Sequence, residues 1–376
     1  MPSSAIDLNR AREQAVDGSG YFYPLTIRQI KPDTRDAVIV AFNVPFDLAE
    51  KFRFIQGQYL TLRARIGTED IRRSYSICSA VQDRQLRIGV KRTPGGVFST
   101  WIIDHLKAGD VIEVMPPEGR FFVPLSPSNA RHYVAFAVGS GITPVFSIIK
   151  TTLLSEPASR FTLFYGNRAS HTVMLREELA ELKDTFLDRF SLLHVMTREH
   201  QDINLLNGRI TAEKSALLLK CFCQPEHVHT IFLCGPQDMV NNVVPALEAL
   251  GFLESQIKVE LFTAKESERQ LQRRIGIAPD ETLHRATVIV DGRKHSFDMP
   301  EAFESILDAG LRNGIDLRHS CKSGVCGTCR AKLVEGQVEM DATYALEDYE
   351  IARGFILTCQ SHPVTDHVTV DFDEEN

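Results

Sequence analysis

The chain of 376 residues is longer than one hydrophobic core usually serves, so we expect two or three domains. Hydrophobic residues make up 43% and charged residues 24%, which are ordinary values for globular proteins. The net charge is −7, and residues 284–376 carry 9 Lys or Arg against 17 Asp or Glu. Because no basic stripe is present, we expect no nucleic-acid partner.

The N-terminal segment lacks the basic start and the apolar core of a secretory signal. No apolar run approaches the roughly 18 residues that a membrane-spanning helix needs. We therefore expect a cytoplasmic protein without a membrane partner, in which thiols stay reduced. The eight cysteines must then serve a metal, catalysis or packing.

Short β-rich segments with regular spacing follow a polar tail that ends near residue 18. Turn residues separate them, and one helix is predicted over residues 97–106. Many short strands with turns between them indicate a barrel or a sandwich, and we assign residues 18–125 to an antiparallel β-barrel domain. The predicted strands cover residues 21–30, 37–43, 58–64, 71–77, 86–90 and 111–115.

From His132 onward, predicted strands alternate with helices. This rhythm indicates a doubly wound α/β domain over residues 130–262, which binds its ligand beyond the carboxyl ends of the strands. The predicted strands cover residues 132–138, 160–165, 190–196, 230–234 and 257–261, and the clearest helices cover 144–154 and 237–250.

A polar stretch over residues 263–283 without a core pattern is predicted to be a linker. The last unit, residues 284–376, begins with strands near 286–290 and 295–299 and a helix near 303–313. A cysteine-rich loop follows.

Four cysteines in this last unit have the spacing C-x4-C-x2-C, then 29 residues, then C. This spacing is typical of the plant-type [2Fe–2S] cluster. Gly324 and Gly327 suit a loop that must wrap closely around a cluster. The alternatives are a structural zinc site and four buried thiols without a metal. Zinc sites more often show two paired C-x2-C knuckles. The proposed ligands are Cys321, Cys326, Cys329 and Cys359. We assign the other buried positions Cys78, Cys221 and Cys223 to packing.

The segment Arg73-Ser74-Tyr75-Ser76 lies on a predicted strand, and Gly95-Gly96-Val97-Phe98-Ser99 opens the following helix. An arginine and a glycine-rich helix N-terminus can hold a pyrophosphate. A tyrosine face can stack on an isoalloxazine ring, and the next serine can hydrogen-bond near its N5. The alternative is an exposed strand with an ordinary tyrosine.

The segment from Val138 to Pro144 joins a predicted strand to a helix through Gly139, Gly141 and Thr143. The glycines would let a pyrophosphate approach the helix N-terminus, and Pro144 is tolerated in the first helical turn. A plain strand-to-helix turn is the alternative. The segment Cys234-Gly235-Pro236 ends a later strand at the same edge of the sheet.

Taken in order, these motifs resemble the ferredoxin–NADP reductase superfamily, followed by a domain that resembles plant-type ferredoxins over residues 286–372. The resemblance implies a β-grasp (α+β) ferredoxin domain, and flavin contacts from Arg73, Tyr75, Ser76 and Ser99. FAD is favoured over FMN. The resemblance also places Cys234 beside the nicotinamide C4. It further implies that Glu260 assists hydride transfer, so that Ser76, Cys234 and Glu260 form the catalytic set. Phe262 matches the aromatic residue that covers the flavin in this family, although here the chain continues past it.

Thr197 and Arg198, after the third strand of the α/β domain, resemble the pair that grips the 2′-phosphate of NADP in relatives. Arg168 can add a second cation. Exposed arginines at strand ends are also common without a ligand. We expect NADPH as the electron donor, with NADH as the alternative.

The three units in this order resemble the reductase components of phenylacetyl-CoA epoxidase systems. The resemblance implies that electrons pass from NADPH through FAD and the cluster to a partner oxygenase, namely a multisubunit di-iron epoxidase of phenylacetate degradation. The alternatives are another oxygenase, such as a ring-hydroxylating or ketosteroid enzyme, and a redox carrier or sensor without turnover. An acidic stretch that includes Asp341, Glu347, Asp348 and Glu350 is predicted to form either a docking face or a solvated surface.

Overall fold

A computed structural model of the chain describes residues 21–262, 284–299 and 304–374. The chain divides into two compact units, the first ending at Glu260 and the second beginning at Leu261. The predicted linker, residues 263–283, lies outside the described residues. None of the helices in the described ranges combines the length and the apolar sequence that a bilayer crossing requires.

The first unit begins with a six-stranded antiparallel sheet in the order β4-β3-β6-β1-β2-β5. Helix α1 (Val97–His105) lies between β5 and β6 in the chain. An isolated bridge joins Ile77, just past β4, to Ile88 of β5, the other edge strand. The strands are β1 (Tyr23–Thr34), β2 (Ala37–Asn43), β3 (Tyr59–Ile66), β4 (Glu69–Ser76), β5 (Leu86–Lys91) and β6 (Val111–Val114).

A five-stranded parallel sheet follows in the order β11-β10-β7-β8-β9. The order reverses at β7, so the carboxyl ends of β7 and β10 flank a switch point, where open α/β sheets bind ligands. The strands are β7 (His132–Val138), β8 (Arg160–Asn167), β9 (Phe190–Met196), β10 (Val228–Cys234) and β11 (Ile257–Glu260). The helices are α2 (Ile142–Ser155), α3 (Arg176–Thr185), α4 (Ala212–Phe222) and α5 (Gln237–Ala249).

Polar contacts join the two sheets of the first unit. Arg87 on β5 makes a bidentate ion pair with Glu178 on α3, with nitrogen–oxygen distances of 2.7 and 3.2 Å. The Ser147 hydroxyl donates to the Ser79 carbonyl over 2.7 Å. These contacts fix the antiparallel sheet against the helices of the parallel sheet.

The second unit is a five-stranded mixed sheet in the order β13-β12-β18-β14-β16, in which β12 and β18 are parallel. Strands β15 and β17 form a separate antiparallel pair. The stretch between α6 and β14 carries three of the four proposed cluster ligands. The elements are β12 (His284–Val290), β13 (Arg293–Met299), α6 (Ile306–Arg312), β14 (Arg330–Glu335), β15 (Val338–Met340), α7 (Asp348–Ala352), β16 (Phe355–Leu357), β17 (Ser361–Pro363) and β18 (His367–Asp371).

A buried carboxylate, Glu156, ties the segment before β7 to the end of α2. Asn129 donates to it over 2.6 Å, Ser159 over 2.7 Å and Tyr133 over 3.0 Å. Burial by itself raises the pKa of Glu156, but the hydrogen bonds outweigh burial and leave the pKa below its usual value. The charged form is therefore stabilised in the folded state.

Replacing this carboxylate tests its contribution to stability. We expect Glu156→Gln to destabilise the first unit by about 1–3 kcal/mol, because an amide cannot accept all of these hydrogen bonds. Since the folded pKa is lowered, the stabilisation is present above the unfolded pKa and is lost as the pH falls through the folded pKa. The thermal unfolding midpoint should therefore fall more steeply on acidification in the wild type than in the variant. Glu181→Gln, at an exposed position of α3, is the control, and equal effects of both variants would contradict the assignment.

Candidate functional site

The three residues predicted to be catalytic lie together in the first unit. Cys234 at the end of β10 pairs in register with Glu260 at the end of β11. Ser76, the last residue of β4, hydrogen-bonds to the Glu260 carboxyl from the antiparallel sheet. The structure therefore brings together side chains from two sheets, which the sequence places in separate domains.

The Glu260 carboxyl is set up to hold a proton. Burial raises its pKa to about 8, although the hydrogen bond from Ser76 acts in the opposite direction. Its Oε2 is buried and has no hydrogen-bond partner among the described residues. A carboxyl that is neutral near pH 7 can donate or accept a proton, which is the property a general acid or base requires.

Cys234 is fully buried next to a glycine that must stay a glycine. A Cβ placed on Gly141 would lie 2.2 Å from the Cys234 carbonyl oxygen, so any side chain there would displace the backbone of β10. Burial, together with the nearby Glu260, raises the pKa of the Cys234 thiol well above its usual value. The thiol therefore stays protonated and can act by packing rather than as a nucleophile.

The loop between β7 and α2 has the open glycine that a phosphate-binding turn needs. Gly139 has a φ of 58°, and a Cβ placed there would meet no described atom within 4 Å. The buried Tyr165 hydroxyl donates to the Gly139 carbonyl over 2.9 Å. The Thr143 hydroxyl, at the start of α2, donates to the Ser140 carbonyl over 2.9 Å. Pro144 lies in the first turn of α2, and Gly235 and Pro236 follow β10 beside this loop.

The predicted flavin residues of β4 adjoin the start of α1. The Tyr75 ring stacks on Phe98 with a centroid distance of 6.2 Å, and burial raises the pKa of its hydroxyl. Gly95 has a φ of 72° with open space beside it, and Gly96 precedes the first helical residue, the exposed Val97.

Three polar members of this group have local partners. The Ser99 hydroxyl accepts from the Thr93 N–H over 3.0 Å, so Ser99 shapes the glycine loop from within. Ser74 hydrogen-bonds to Thr61 over 3.1 Å, and Arg73, which is exposed, donates to the Arg72 carbonyl over 2.7 Å. Their direct contact with a flavin stays a prediction.

The residues predicted to bind the 2′-phosphate lie at the carboxyl ends of β8 and β9. The Arg198 N–H donates to the Arg168 carbonyl over 2.8 Å, and Thr197, Arg168 and Arg198 are exposed. The neighbouring Glu199 accepts hydrogen bonds from the Ser170 N–H and hydroxyl. These hydrogen bonds lower the pKa of Glu199, so the acidic neighbour of the two arginines remains charged.

Two buried polar groups at this edge were not expected from the sequence. Nδ2 of Asn167, at the end of β8, and Nδ1 of His194 on β9 are buried and lack hydrogen-bond partners among the described residues. Burial lowers the pKa of His194, so its ring is held neutral. An asparagine ending a strand and a histidine within one give no sequence signal of a site.

The four proposed cluster ligands come together as two pairs in the second unit. The Cys326 thiol donates a hydrogen bond to the Cys321 sulfur, and the Cys329 thiol donates one to the Cys359 sulfur. The Cys326 hydrogen bond, with the N–H groups of Ser323 and Val325, lowers the pKa of Cys321 below its usual value. Gly324 and Gly327 have φ values of 75° and 73° in the same loop.

Two thiol pairs fit a [2Fe–2S] cluster, in which two irons share four cysteines. Among the described residues, no three His, Cys, Asp or Glu side chains converge on one position as ligands of a single ion. The pairing of the four cysteines thus supplies two thiol ligands for each of the two irons of such a cluster.

Two expectations from the sequence are wrong. Cys78 and Cys223 are buried as expected, but Cys221 lies exposed on α4, where successive side chains point in different directions. The acidic stretch of the second unit is not one solvated face, because the Asp341 side chain is buried 3.1 Å from His362 and Glu350 is buried in an ion pair with Arg330. Phe262, two residues past β11, is 37% exposed.

Family models match three consecutive stretches of the chain. Residues 24–123 match an oxidoreductase FAD-binding domain, residues 136–244 an oxidoreductase NAD-binding domain, and residues 288–364 a 2Fe-2S iron-sulfur cluster binding domain. These matches confirm the FAD, nicotinamide and cluster cofactors expected from the sequence.

Curated relatives cover nearly the whole chain. It is 41% identical to a component of the 1,2-phenylacetyl-CoA epoxidase of Escherichia coli (strain K12), over 94% of this chain and 98% of that protein. It is 32% identical to the 3-ketosteroid-9-alpha-monooxygenase ferredoxin reductase component of Rhodococcus rhodochrous, over 93% of this chain and 96% of that protein. The structure of phthalate dioxygenase reductase has the same fold, with a TM-score of 0.58, 23% identity and coverage of 93% of this chain and 98% of that chain.

Replacing Glu260 tests the protonated carboxyl. Because the folded pKa is raised, the wild type loses stability as the pH rises between the unfolded value of 4.5 and about 8, where only the unfolded state releases the proton. We expect Glu260→Gln to remove this loss, and to slow flavin reduction by NADPH while FAD stays bound. Thermal unfolding and stopped-flow absorbance across this range measure the two effects. The exposed Glu254→Gln is the control, and an identical pH profile in wild type and Glu260→Gln would contradict the assignment.

Proposed function

We propose that this chain passes electrons from NADPH through FAD and the cluster to a separate oxygenase. The chain belongs to the family of oxygenase reductase components with FAD-binding, NAD-binding and [2Fe–2S] domains. The observation that carries the proposal is the meeting of Ser76, Glu260 and Cys234 at the carboxyl edge of the parallel sheet. That edge is where a nicotinamide would approach a flavin held by the antiparallel sheet.

The residues of the chain supply position and proton control. A bound FAD would supply the capacity to take up a hydride and a bound cluster the capacity to carry single electrons, and this chemistry would belong to the cofactors. Ser76 aligns the Glu260 carboxyl, whose raised pKa keeps a proton at the site near neutral pH. Gly141 leaves room against the backbone of Cys234, so the buried thiol can border the bound ring. Arg73 and the glycine loop before α1 would bind the flavin pyrophosphate.

We also propose the finer details of the architecture. The bridge between Ile77 and Ile88 supports closure of the first sheet into a barrel. The mixed sheet, with helix α6 between β13 and β14 in the chain, supports a β-grasp fold for the second unit. The domain boundaries 18–125, 130–262 and 284–376, with a linker at 263–283, remain part of this proposal.

The proposed acceptor is a multisubunit di-iron phenylacetyl-CoA epoxidase. The support is the 41% identity to the component of the Escherichia coli epoxidase along nearly the full length of both chains. Relatives named as reductase components of 3-ketosteroid and glycine betaine monooxygenases keep another oxygenase as the second candidate. The cytoplasm is the proposed location, because a cluster held by cysteine thiolates needs a compartment in which thiols stay reduced. Each purified candidate oxygenase would be combined with this protein and NADPH, and turnover of that oxygenase's own substrate would be measured. The oxygenase that turns over is the partner.

Removing one cluster ligand tests the order of electron flow. We expect Cys326→Ser to abolish the cluster and to reduce electron delivery to cytochrome c strongly. Reduction of ferricyanide by NADPH should persist, because the flavin and nicotinamide sites lie in the other unit. Cys221→Ser, at an exposed cysteine, is the matched control. Loss of ferricyanide activity in a folded, FAD-loaded Cys326→Ser protein would contradict the proposed electron path.

Replacing one arginine tests the choice of nicotinamide. We expect Arg198→Ala to raise the KM for NADPH about tenfold or more, because a lost hydrogen bond to a charged group costs about 1.5–3 kcal/mol. The KM for NADH should barely change. Arg160→Ala, at the exposed opposite end of β8, controls for the loss of a surface charge. An equal rise in both KM values for Arg198→Ala would show that this residue does not read the 2′-phosphate.

A further inference from the structure

A buried ion pair lies next to a cluster ligand in the second unit. Arg330, which follows Cys329 directly, donates from Nη1 to Oε1 of Glu350 over 2.9 Å. The Glu350 side chain is 1% exposed and that of Arg330 is 17% exposed. Removing both charges from water costs free energy that their attraction only partly offsets, so two apolar residues would often serve stability as well. The position of the pair therefore suggests a role beyond stability.

Glu350 is held at both of its carboxylate oxygens. Its Oε2 accepts from the N–H of Glu347 at the start of α7 over 3.0 Å. The segment before α7 is itself bound to the cysteine loop, because the Ala345 N–H donates to the Gly324 carbonyl over 3.0 Å. The carboxylate thus has a fixed place beside the loop that carries the cluster ligands.

Arg330 belongs to a group of cations around one buried ring. Its guanidinium carbon lies 4.3 Å from the centre of the Phe355 ring. Lys332 and Arg353 lie 5.6 and 5.8 Å from the same centre. The buried Glu350 pairs with Arg330, the member of this group that adjoins the ligand Cys329. The charge of Glu350 therefore offsets the charge of this arginine.

We propose that the Arg330–Glu350 pair sets the reduction potential of the [2Fe–2S] cluster, with Glu350 acting through Arg330 as its counter-charge. Reduction adds one negative charge to the cluster, so an uncompensated cation nearby favours the reduced state and an uncompensated anion disfavours it. Salt screens buried charges much less than exposed ones. By neutralising Arg330, Glu350 keeps the cluster a low-potential donor. The proposal requires the cluster only, and is independent of the nicotinamide and the oxygenase.

The test is an EPR-monitored redox titration of the full-length holoprotein. We expect Glu350→Gln to raise the midpoint potential and Arg330→Gln to lower it. The double variant should return close to the wild-type potential. A general loosening of the fold would shift the midpoint potential in the same direction whichever charge is removed. Opposite shifts in the two single variants that cancel in the double variant therefore support the electrostatic role. Shifts of the same sign, or no shift in either single variant, would overturn the proposal.

An exposed ion pair beside another ligand provides the matched control. Lys322 follows Cys321 and pairs with Asp308 over 2.8 Å, with side chains 45% and 46% exposed. We expect Asp308→Asn to shift the potential less than Glu350→Gln does. The shift from Asp308→Asn should fade at 1 M salt, where the Debye length is about 3 Å, and that of Glu350→Gln should persist. Equal salt dependence in both variants would overturn the proposal.

A charge-exchanged pair keeps the proposal testable where a single variant loses its cluster, as judged by visible absorbance and iron content. Arg330→Glu combined with Glu350→Arg retains the ion pair and places the negative charge next to Cys329. We expect this variant to have a lower potential than the wild type. An unchanged potential would overturn the proposal.

Discussion

Strand β2 packs on both of its faces, and the arrangement of the first unit depends on this constraint. Val38 and Val40 lie in the core of the antiparallel sheet, whereas Ala37 and Ile39 lie in the core shared with the parallel sheet. Because successive side chains of a strand point to opposite faces, a single strand fixes the spacing of two cores. The hydrogen bond between Ser76 and Glu260 joins different sheets, so the proposed site requires this packing.

Much of the fold could be predicted because its periodicities are local. The predicted bounds of β2, β7 and β9 match the structure to the residue, since turn residues flank apolar runs of strand length there. Helices were predicted between the strands of the parallel sheet, but without bounds for α3 and α4. The short strands after the cysteine loop were missed, since a strand of three residues shows no alternation.

The candidate site could be predicted where spacing carries the chemistry, as in the four cysteines. The candidate site could not be predicted where its chemistry depends on burial by residues that are distant in the sequence. Asn167 and His194 are ordinary residues until neighbouring strands and helices bury their nitrogens. The burial of one residue in the acidic stretch of the second unit could not be predicted for the same reason, because the sequence does not show that Glu350 faces Arg330 rather than solvent.

Three glutamates, of which Glu156 and Glu350 are buried and Glu260 has a buried Oε2, show that the surroundings decide the charge of a carboxyl group. Glu156 stays ionised because several donors converge on it, so it serves stability. Glu350 has a guanidinium partner, so its charge is matched within the protein. Glu260 has a single serine against strong desolvation, and its pKa rises to about 8. Of these three glutamates, the one that the protein leaves short of donors can exchange a proton near neutral pH, and it lies where the two sheets of the first unit meet.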